Sequence, residues 1–241
     1  MKAIILASGI GIRLTPLTEE LPKTLIEING VALLDRIIKS LTENNVFEII
    51  VTTGYLEEKI KEFVKNKYPD LKVTYVKNPI FDKTNYIYSL WLTKDFIKDD
   101  DVILLHGDLI YDFQLMKKIV RADKNSVLVK QGREVPEKDF KARIKNGLIT
   151  KIGVDIFGKD ARFCVPLYKI LKTDFEKWIK KIGDFVKEGK NNCYAENAFN
   201  EISDQIQLYP LYYNKESAME IDDFEDLEKA KKIFKNGTNS K

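Results

Sequence analysis

A glycine-rich loop with two nearby cations follows the first apolar segment of the chain. Gly9 and Gly11 come directly after the apolar run 3–7, and Arg13 and Lys23 lie downstream of them. Glycine lets the backbone approach a phosphate closely, and successive N–H groups can bind an anion. Guanidinium and ammonium groups are common partners of phosphate oxygens. The pattern indicates a phosphate-binding loop, with a plain strand-to-helix turn and two solvated cations as the alternative.

Two familiar nucleotide-binding motifs do not match this loop. The dinucleotide-binding fingerprint requires a third glycine, and Leu14 occupies that position. The P-loop requires Gly-Lys-Ser or Gly-Lys-Thr, and the loop contains neither. The mismatch argues against an oxidoreductase that binds a dinucleotide.

Two acidic stretches could add a metal ion to the phosphate site. Asp108 follows an apolar strand predicted at 102–105, and ligands of open α/β sheets bind beyond the carboxyl ends of strands. Glu220 and Asp222 would face the same side of an extended segment. Their carboxylate oxygens suit Mg²⁺. The alternative is that these residues cap turns and helices, which is the role expected for Asp223.

A third group combines aromatic, amide and acidic side chains that could surround a cationic ligand. Its members are Asn85, Tyr88, Ser89, Trp91, Tyr111, Tyr194, Glu196 and Asn197. Aromatic faces attract cations, and a nearby carboxylate adds charge. Aromatic residues at helical spacing more often belong to the core, so periodicity alone favours packing. His106, the only histidine, is likewise expected to be structural.

Apolar periodicity predicts the elements that position these groups. In the first half, strand-length runs alternate with helical spacing, with strands at 3–7, 47–51, 73–76 and 102–105 and helices at 31–43, 60–64 and 86–96. In the second half, the predicted elements are strands at 126–129, 163–170 and 207–212, a hairpin at 142–152, and helices at 174–186, 194–206 and 224–234. This order is typical of a Rossmann-like α/β fold with a mixed, mostly parallel sheet between helices. We predict one domain, 1–235, and a tail, 236–241.

Composition limits the class of protein. The 241 residues include 40 basic and 37 acidic side chains, and this balance argues against a dedicated nucleic-acid binder. No segment has the roughly 18–20 apolar residues that a membrane span needs, so membrane insertion is not expected. The two cysteines have no CxxC spacing, which favours a reducing compartment. We therefore expect a cytoplasmic protein.

The loop and its surroundings resemble the signature of the sugar nucleotidyltransferase superfamily, which has a GT-A-like fold. The matching residues are Leu6-Ala7-Ser8-Gly9-Ile10-Gly11-Ile12-Arg13-Leu14, followed by Pro22-Lys23. Three further stretches, 84–90, 194–197 and 220–227, are similar to the phosphocholine and 2-aminoethylphosphonate cytidylyltransferase branch. The resemblance implies transfer of CMP from CTP to a small phosphorylated or phosphonylated acceptor, with release of pyrophosphate.

The resemblance also implies roles for individual residues. Arg13 and Lys23 would be catalytic, and Asp108, Asp222 and Glu220 would hold Mg²⁺. The nucleotide would contact Leu6, Ala7, Ser8, Gly9, Gly11, Gly54, Tyr55, Asn85 and Ser89. The acceptor would contact Tyr111, Tyr194 and Glu196. Residues 1–110 would form the nucleotide-binding half and residues 111–235 the acceptor-binding half. Two positions depart from the family pattern, because Ser8 replaces Ala or Gly and Tyr86 replaces an Asn.

The implied chemistry agrees with the residue inventory. A phosphate ester is largely dianionic at neutral pH, so the acceptor needs no general base. Direct in-line displacement then requires charge neutralisation and alignment. The expected partners are CTP and the acceptor, with a monomer or homodimer as the assembly. The alternatives are a sugar-1-phosphate nucleotidyltransferase that uses dTTP, UTP or GTP, and a non-catalytic nucleotide-binding module.

Overall fold

The computed structural model describes residues 1–97, 99–132 and 137–234, so the predicted tail 236–241 lies outside the described residues. The strands are β1 (Lys2–Leu6), β2 (Glu27–Ile28), β3 (Val31–Ala32), β4 (Glu48–Thr53), β5 (Val73–Lys77), β6 (Val102–His106), β7 (Leu109–Tyr111), β8 (Ser126–Lys130), β9 (Lys141–Lys145), β10 (Leu148–Gly153), β11 (Ala161–Ile170), β12 (Tyr209–Tyr213) and β13 (Ala218–Glu220). The α-helices are α1 (Leu17–Glu20), α2 (Leu33–Thr42), α3 (Glu57–Lys67), α4 (Tyr86–Leu92), α5 (Phe113–Val120), α6 (Lys172–Lys187), α7 (Ala195–Asn200) and α8 (Phe224–Ile233). Short 3₁₀ helices occupy Ile12–Leu14, Lys23–Leu25 and Lys94–Phe96.

A mixed β-sheet runs through both halves of the chain. Its strand order is β10-β9-β11-β6-β1-β4-β5, and β8 pairs with both β11 and β12. Strands β5, β4, β1 and β6 are parallel to one another. Strand β11 is antiparallel to β6, β8 and β9. This topology confirms the predicted α/β fold and the single domain.

The register of the central strands brings three loops to one edge of the sheet. Leu6, at the end of β1, is paired with Thr52 of β4 and His106 of β6. The chain leaves all three strands at this level, because parallel strands end on the same side. The glycine loop, the Gly54-Tyr55 turn and the Gly107-Asp108 turn therefore lie next to one another.

Apolar side chains cover both faces of the sheet. One cluster packs α2, α3 and α5 against the sheet through residues such as Ile37, Ile60 and Leu115. The other packs α4, α6 and α7 through residues such as Leu90 and Trp178. Helices cover both faces of the sheet, and each buries an apolar stripe against it.

A third, smaller cluster attaches the last helix to the beginning of the chain. Ile221, just before α8, and Leu227, within α8, pack with Leu14 and Ile26. Burying these apolar side chains together stabilises a contact between segments about 200 residues apart. This packing places the acidic stretch before α8 next to the glycine loop.

Most predicted elements are present, and the differences have local causes. The hairpin turn at Asn146-Gly147 is confirmed, and both residues have the positive φ that a tight two-residue turn requires. The helix predicted at 194–206 ends at Asn200. Strands β7 and β13 are only three residues long, which is too short for an alternating pattern to reveal. Among the described residues, no helix has both the length and the apolar character needed to cross a membrane.

Gly54 should tolerate no side chain, because its backbone packs directly against the glycine loop. A Cβ atom there would lie 2.7 Å from both the Phe81 Cβ and the Ser8 carbonyl oxygen. We expect Gly54→Ala to lower the free energy of unfolding by about 1–3 kcal/mol in a denaturant titration. Gly9→Ala is the control, since a Cβ at Gly9 would meet no atom within 4 Å. Equal stability of the two variants would contradict this prediction.

Candidate active site

A cleft opens at the sheet edge where the three loops meet. Its volume is about 300 Å³. Twelve residues line it, namely Leu6, Ala7, Gly9, Ile10, Gly11, Ile12, Arg13, Lys23, Thr24, Gly107, Asp108 and Asp222. The cleft thus brings together the predicted phosphate loop, both predicted catalytic cations and two of the three predicted metal ligands.

Close backbone contacts hold the loops in place. The N–H of Gly107 donates to the carbonyl oxygen of Leu6 at 2.8 Å. A Cβ at position 107 would lie 2.9 Å from that oxygen, so glycine is required there. Gly11 has φ of +74°, and its carbonyl oxygen accepts a hydrogen bond from Thr18 at 3.0 Å. The glycines therefore allow the backbones of the loops to pack closely against each other.

Lys23 joins two carboxylates from distant parts of the chain. Its Nζ donates to Asp108 and, at 2.8 Å, to Asp222. Burial lowers the pKa of Lys23, but the charges of both carboxylates outweigh this effect and raise it above the ordinary lysine value. Arg13 also pairs with Asp222 at 3.0 Å, while its side chain remains 61% exposed. Lys23 therefore stays charged, and both cations line the cleft.

The carboxylates are positioned by β13 and the segment after it. Glu220 pairs with Leu109 in the β7–β13 ladder, and the N–H of Ile221 donates to the carbonyl oxygen of Asp108 at 3.0 Å. Asp223 caps α8, because its Oδ1 accepts from the N–H of Asp226 at 3.0 Å. Asp223 therefore caps the helix, as predicted, whereas Asp222 lines the cleft.

His106 and Glu220 form a buried pair behind Asp108. The His106 Nδ1 and the Glu220 Oε1 are 2.9 Å apart. Burial lowers the pKa of His106, but the hydrogen bond and charge of Glu220 raise it to about 9. Burial raises the pKa of Glu220, against the opposing effect of His106. The only histidine is therefore committed to a structural partner.

The acidic cluster is suited to a divalent cation. In the described part of the chain, ligand atoms of His106, Asp108 and Glu220 lie within 4.8 Å of one another. The Asp108 Oδ1 is buried and has no hydrogen-bond partner among the described residues. Asp222 shares Lys23 with Asp108 and so lies beside this cluster. A set dominated by carboxylate oxygens favours a hard cation such as Mg²⁺.

The predicted nucleotide-binding residues fall into one connected group. The hydroxyl groups of Ser8 and Ser89 are 2.7 Å apart, and Asn78 donates to the Ser89 hydroxyl at 3.0 Å. The N–H of Tyr55 donates to the Ser8 carbonyl oxygen at 3.3 Å. Asn85 caps α4. Asn78 was not among the residues predicted for this group.

Tyr86, which replaces an Asn of the family pattern, packs with the aromatic residues around Tyr194. Its hydroxyl donates to Glu196, whose other oxygen accepts from Tyr168 at 2.7 Å. Its ring packs on His106 with centroids 4.5 Å apart and on Tyr194 at 5.8 Å. Tyr86 is therefore part of the aromatic group that contains Tyr194, and sequence reasoning missed this placement.

Two predicted acceptor residues occupy this aromatic group, and one does not. Tyr194 packs against Phe140 and Tyr86. Burial raises the pKa of the Tyr194 phenol, and the negative charges of Glu220 and Asp222 add to this effect. Glu196 is only 1% exposed, and each of its oxygens accepts a hydrogen bond from one tyrosine, so it supports the aromatic group from within the core.

Tyr111 is not brought to the aromatic group. Its hydroxyl contacts Ser40 at 2.7 Å, and its ring packs into the cluster with α2 on the other face of the sheet. Trp91 and Tyr88 stack on each other, with centroids 5.6 Å apart. Asn197 accepts from the N–H of Tyr194 and so caps α7. These four residues have structural roles in this fold.

Comparison with known proteins identifies the family. The nucleotidyl transferase family model matches residues 2–140, which include Arg13, Lys23 and Asp108. The chain belongs to the nucleotidyl transferase family. The match confirms the superfamily resemblance of the glycine loop, and it ends well before Asp222, which only the fold connects to the loop.

Similar proteins include several cytidylyltransferases. The chain is 29% identical over 246 residues to choline-phosphate cytidylyltransferase of Streptococcus pneumoniae, covering 98% of this chain and 99% of that protein. It is 34% identical over 134 residues to CTP:phosphoglutamine cytidylyltransferase of Campylobacter jejuni, covering 54% of this chain. That match spans about half of the Campylobacter protein, 52% of its length.

A solved structure extends the similarity to the whole fold. The structure of CTP:phosphocholine cytidylyltransferase from Streptococcus pneumoniae superposes with a TM-score of 0.82 and 26% identity. The superposition covers 96% of this chain and 98% of that chain. Together these similarities support the prediction that the chain is a nucleotidyltransferase enzyme.

Removing the Tyr86 hydroxyl should destabilise the aromatic group. Tyr86→Phe leaves one buried oxygen of Glu196 without its donor, and such a loss typically costs about 1–3 kcal/mol. We expect a lower midpoint in urea unfolding followed by tyrosine and tryptophan fluorescence. Tyr88→Phe on the same helix is the matched control, because its ring only stacks on Trp91. If both variants unfold alike, the hydrogen bond to Glu196 contributes nothing to stability.

Proposed function

We propose that this protein transfers CMP from CTP to a small phosphorylated or phosphonylated amine or alcohol, with release of pyrophosphate. The observation that carries the proposal is the position of Lys23 and Arg13, which share Asp222 at the mouth of the glycine loop. Two cations beside a carboxylate cluster form a site for joining two phosphate-bearing molecules. The named activities of the similar cytidylyltransferases support CTP as the nucleotide.

The nucleotide would lie along the loop that joins β1 to the 3₁₀ helix at Ile12–Leu14. Leu6, Ala7, Gly9, Ile10 and Gly11 line the cleft, so a base or a phosphate would lie against this loop. Arg13 extends from the loop with an exposed guanidinium, which suits the terminal phosphates of CTP. Lys23 lies deeper, where its ammonium would meet the α-phosphate that is attacked.

Asp108, Asp222 and Glu220 would hold a divalent cation, and Mg²⁺ is the ion that their oxygen atoms favour. Such an ion neutralises developing charge on the phosphates when it is bound. The fit rests on the unpartnered Asp108 Oδ1, on the closeness of Asp108 to Glu220, and on the ion pairs that join Asp108 and Asp222 to Lys23. Glu220 also bonds His106, so Asp108 and Asp222 are the stronger ligands of the three.

The acceptor would attack the α-phosphate directly. Its phosphate or phosphonate oxygen is already anionic near neutral pH and needs no base. The chain must instead reduce the repulsion between two anions, and Lys23 and Arg13 provide the positive charge for this. Alignment of the attacking oxygen opposite the leaving pyrophosphate then accounts for the remaining catalysis.

The acceptor head group would lie toward Tyr194. The phenol ring is flanked by Tyr86 and Phe140, and carboxylates of Glu220 and Asp222 are close enough to affect its pKa. An aromatic face beside negative charge favours a cationic group. This favours an acceptor whose head group is a cationic amine over one whose head group is an uncharged sugar. The cytoplasmic location and the monomeric or homodimeric assembly remain predictions.

A substrate panel tests the proposed function. CTP, UTP, dTTP and GTP are each incubated with Mg²⁺ and with phosphocholine, 2-aminoethylphosphonate, phosphoglutamine or glucose 1-phosphate, and pyrophosphate release is measured. We expect release with CTP and a cationic acceptor. Release only with a hexose 1-phosphate would replace the proposal with a sugar nucleotidyltransferase. No release from any pair would favour a non-catalytic nucleotide-binding module.

Lys23→Ala should reduce turnover by about 10²-fold or more, because it removes the cation nearest the transferred phosphate. The measurement is kcat/KM from pyrophosphate release, accompanied by circular dichroism to show that the fold is intact. Lys145→Ala, on the exposed end of the β9–β10 hairpin, is the control and should leave kcat/KM unchanged. Near-normal turnover of the Lys23 variant would remove this residue from the site.

Asp222→Asn should raise the Mg²⁺ concentration needed for half-maximal activity more than Asp223→Asn does. Asp222 contacts both site cations, whereas Asp223 caps α8, a role that asparagine also performs. The measurement is a Mg²⁺ titration of initial rates at saturating CTP. A larger effect at Asp223 would shift the ligand assignment by one residue.

A further inference from the structure

Lys138 joins the segment before β9 to the first turn of α8. Its Nζ donates to the Oδ2 of Asp223 at 2.6 Å and to the Oδ2 of Asp226 at 2.7 Å. These partners lie 85 and 88 positions away in the sequence. Among the described residues, Lys138 is the one cation paired with either carboxylate. The function proposed above gives this lysine no role.

One of the two carboxylates also holds the backbone of a site residue. The Oδ2 of Asp226, which Lys138 contacts, accepts a second hydrogen bond from the N–H of Asp222 at 3.0 Å. The Asp222 side chain in turn contacts Lys23 at 2.8 Å and Arg13 at 3.0 Å. Direct contacts therefore connect Lys138, through Asp226, to the carboxylate at the cleft.

The crowding of negative charge explains why this connection needs a cation. Asp222, Asp223 and Asp226 bring three carboxylates to the start of α8. Burial raises the pKa of Asp139, and the charges of Asp226 and Asp222 raise it further, so this carboxyl group lies near them as well. Repulsion between such groups is strong where water is partly excluded. Lys138 supplies the positive charge that offsets it.

The burial of Asp226 distinguishes this contact from an ordinary surface ion pair. An exposed pair contributes little, because water screens it. The Asp226 side chain is only 10% exposed, however, and removing the partner of a buried charge is costly. Burial lowers the pKa of Lys138, but its hydrogen bonds to Asp223 and Asp226 raise it above the ordinary lysine value. Without this ammonium, Asp226 would turn toward water and release the N–H of Asp222.

We propose that Lys138 is a positioning residue of the active site. By fixing Asp226, it holds the backbone of Asp222 so that the Asp222 carboxylate points to Lys23 and to a bound Mg²⁺. The inference rests on the proposed function, because it concerns a ligand of the same site. Lys138 thereby affects the metal-dependent step without contacting substrate.

The aromatic wall near Lys138 is anchored separately. Phe140 is only 4% exposed, and its carbonyl oxygen accepts from the N–H of Cys164 at 2.9 Å. Its ring packs against Tyr194 with centroids 5.0 Å apart. Loss of the Lys138 charge should therefore change the response to Mg²⁺ and leave the KM of the acceptor unchanged.

The test compares Lys138→Met, which removes the charge, with Lys138→Arg, which keeps it. CTP binding is measured by calorimetry with Mg²⁺ and with EDTA, and the ratio of the two affinities gives the gain due to the metal ion. Pyrophosphate release gives kcat and the KM of each substrate, and thermal unfolding is recorded in parallel. Lys231→Met on α8 is the matched control, because the Lys231 side chain is 40% exposed, against 41% for Lys138, and pairs with Glu228.

We expect Lys138→Met to reduce the Mg²⁺-dependent gain in CTP affinity by about tenfold, the lower end of the range for loss of a group that supports a metal ligand. The value of kcat should fall as well, and Lys138→Arg should restore both quantities. Lys231→Met should behave as the wild type. In an Asp226→Asn background the uncompensated charge is absent, so Lys138→Met should have a smaller effect there.

Three results would overturn the inference. The first is a Lys138→Met protein whose Mg²⁺-dependent gain equals that of Lys231→Met. The second is an equally large effect of Lys138→Met in the Asp226→Asn background, because Lys138 would then act independently of Asp226. The third is a higher KM of the acceptor with an unchanged response to Mg²⁺, which would place Lys138 in support of the aromatic wall.

Failure of the proposed function has a different signature. The wild type would then release no pyrophosphate with any acceptor, while the CTP-binding ratios would still decide the role of Lys138. A wild type whose CTP affinity does not depend on Mg²⁺ would overturn the inference about Lys138, whether or not turnover is observed.

Discussion

One ammonium group connects three distant parts of this chain. Lys23 lies 85 residues from Asp108 and 199 residues from Asp222, yet its Nζ bonds both carboxylates. Two carboxylates in a shielded cleft would repel each other, and this repulsion is strong where water is partly excluded. The positive charge of Lys23 offsets this repulsion, so the two carboxylates can lie close together in the folded protein. The arrangement of charge in the cleft depends on this pair of contacts.

Several features of the site lower the stability of the folded protein. The described cleft residues include two buried oxygen atoms without protein partners, and three carboxylates gather around one edge of the sheet. Proteins generally retain such local conflicts at functional sites and compensate for them elsewhere. Here the compensation comes from apolar packing next to the site. Ile221 and Leu227 bury their side chains with Leu14, directly beneath the charged residues.

Sequence reasoning predicted the first half of the molecule well, because its strands are continuous apolar runs and its helices have clear periodicity. The glycine loop, Lys23 and Asp108 could be found because each follows a recognisable strand or a short motif. The aromatic group was harder to predict. Tyr86 occupies a motif position on α4, but its hydroxyl is directed to Glu196 by the packing of α4 against α7. Tyr111 failed as an acceptor residue because β7 directs it toward Ser40.

The three-residue pairing of β13 with β7 has a consequence for how the protein acquires its function. This pairing, with the Ile221–Asp108 hydrogen bond, joins segments separated by more than a hundred positions. Closing so large a loop costs chain entropy before any contact rewards it, and structures rich in distant contacts form slowly. During synthesis the glycine loop would emerge long before its acidic partner. The cleft can therefore be complete only after β13 has been synthesised and has paired with β7.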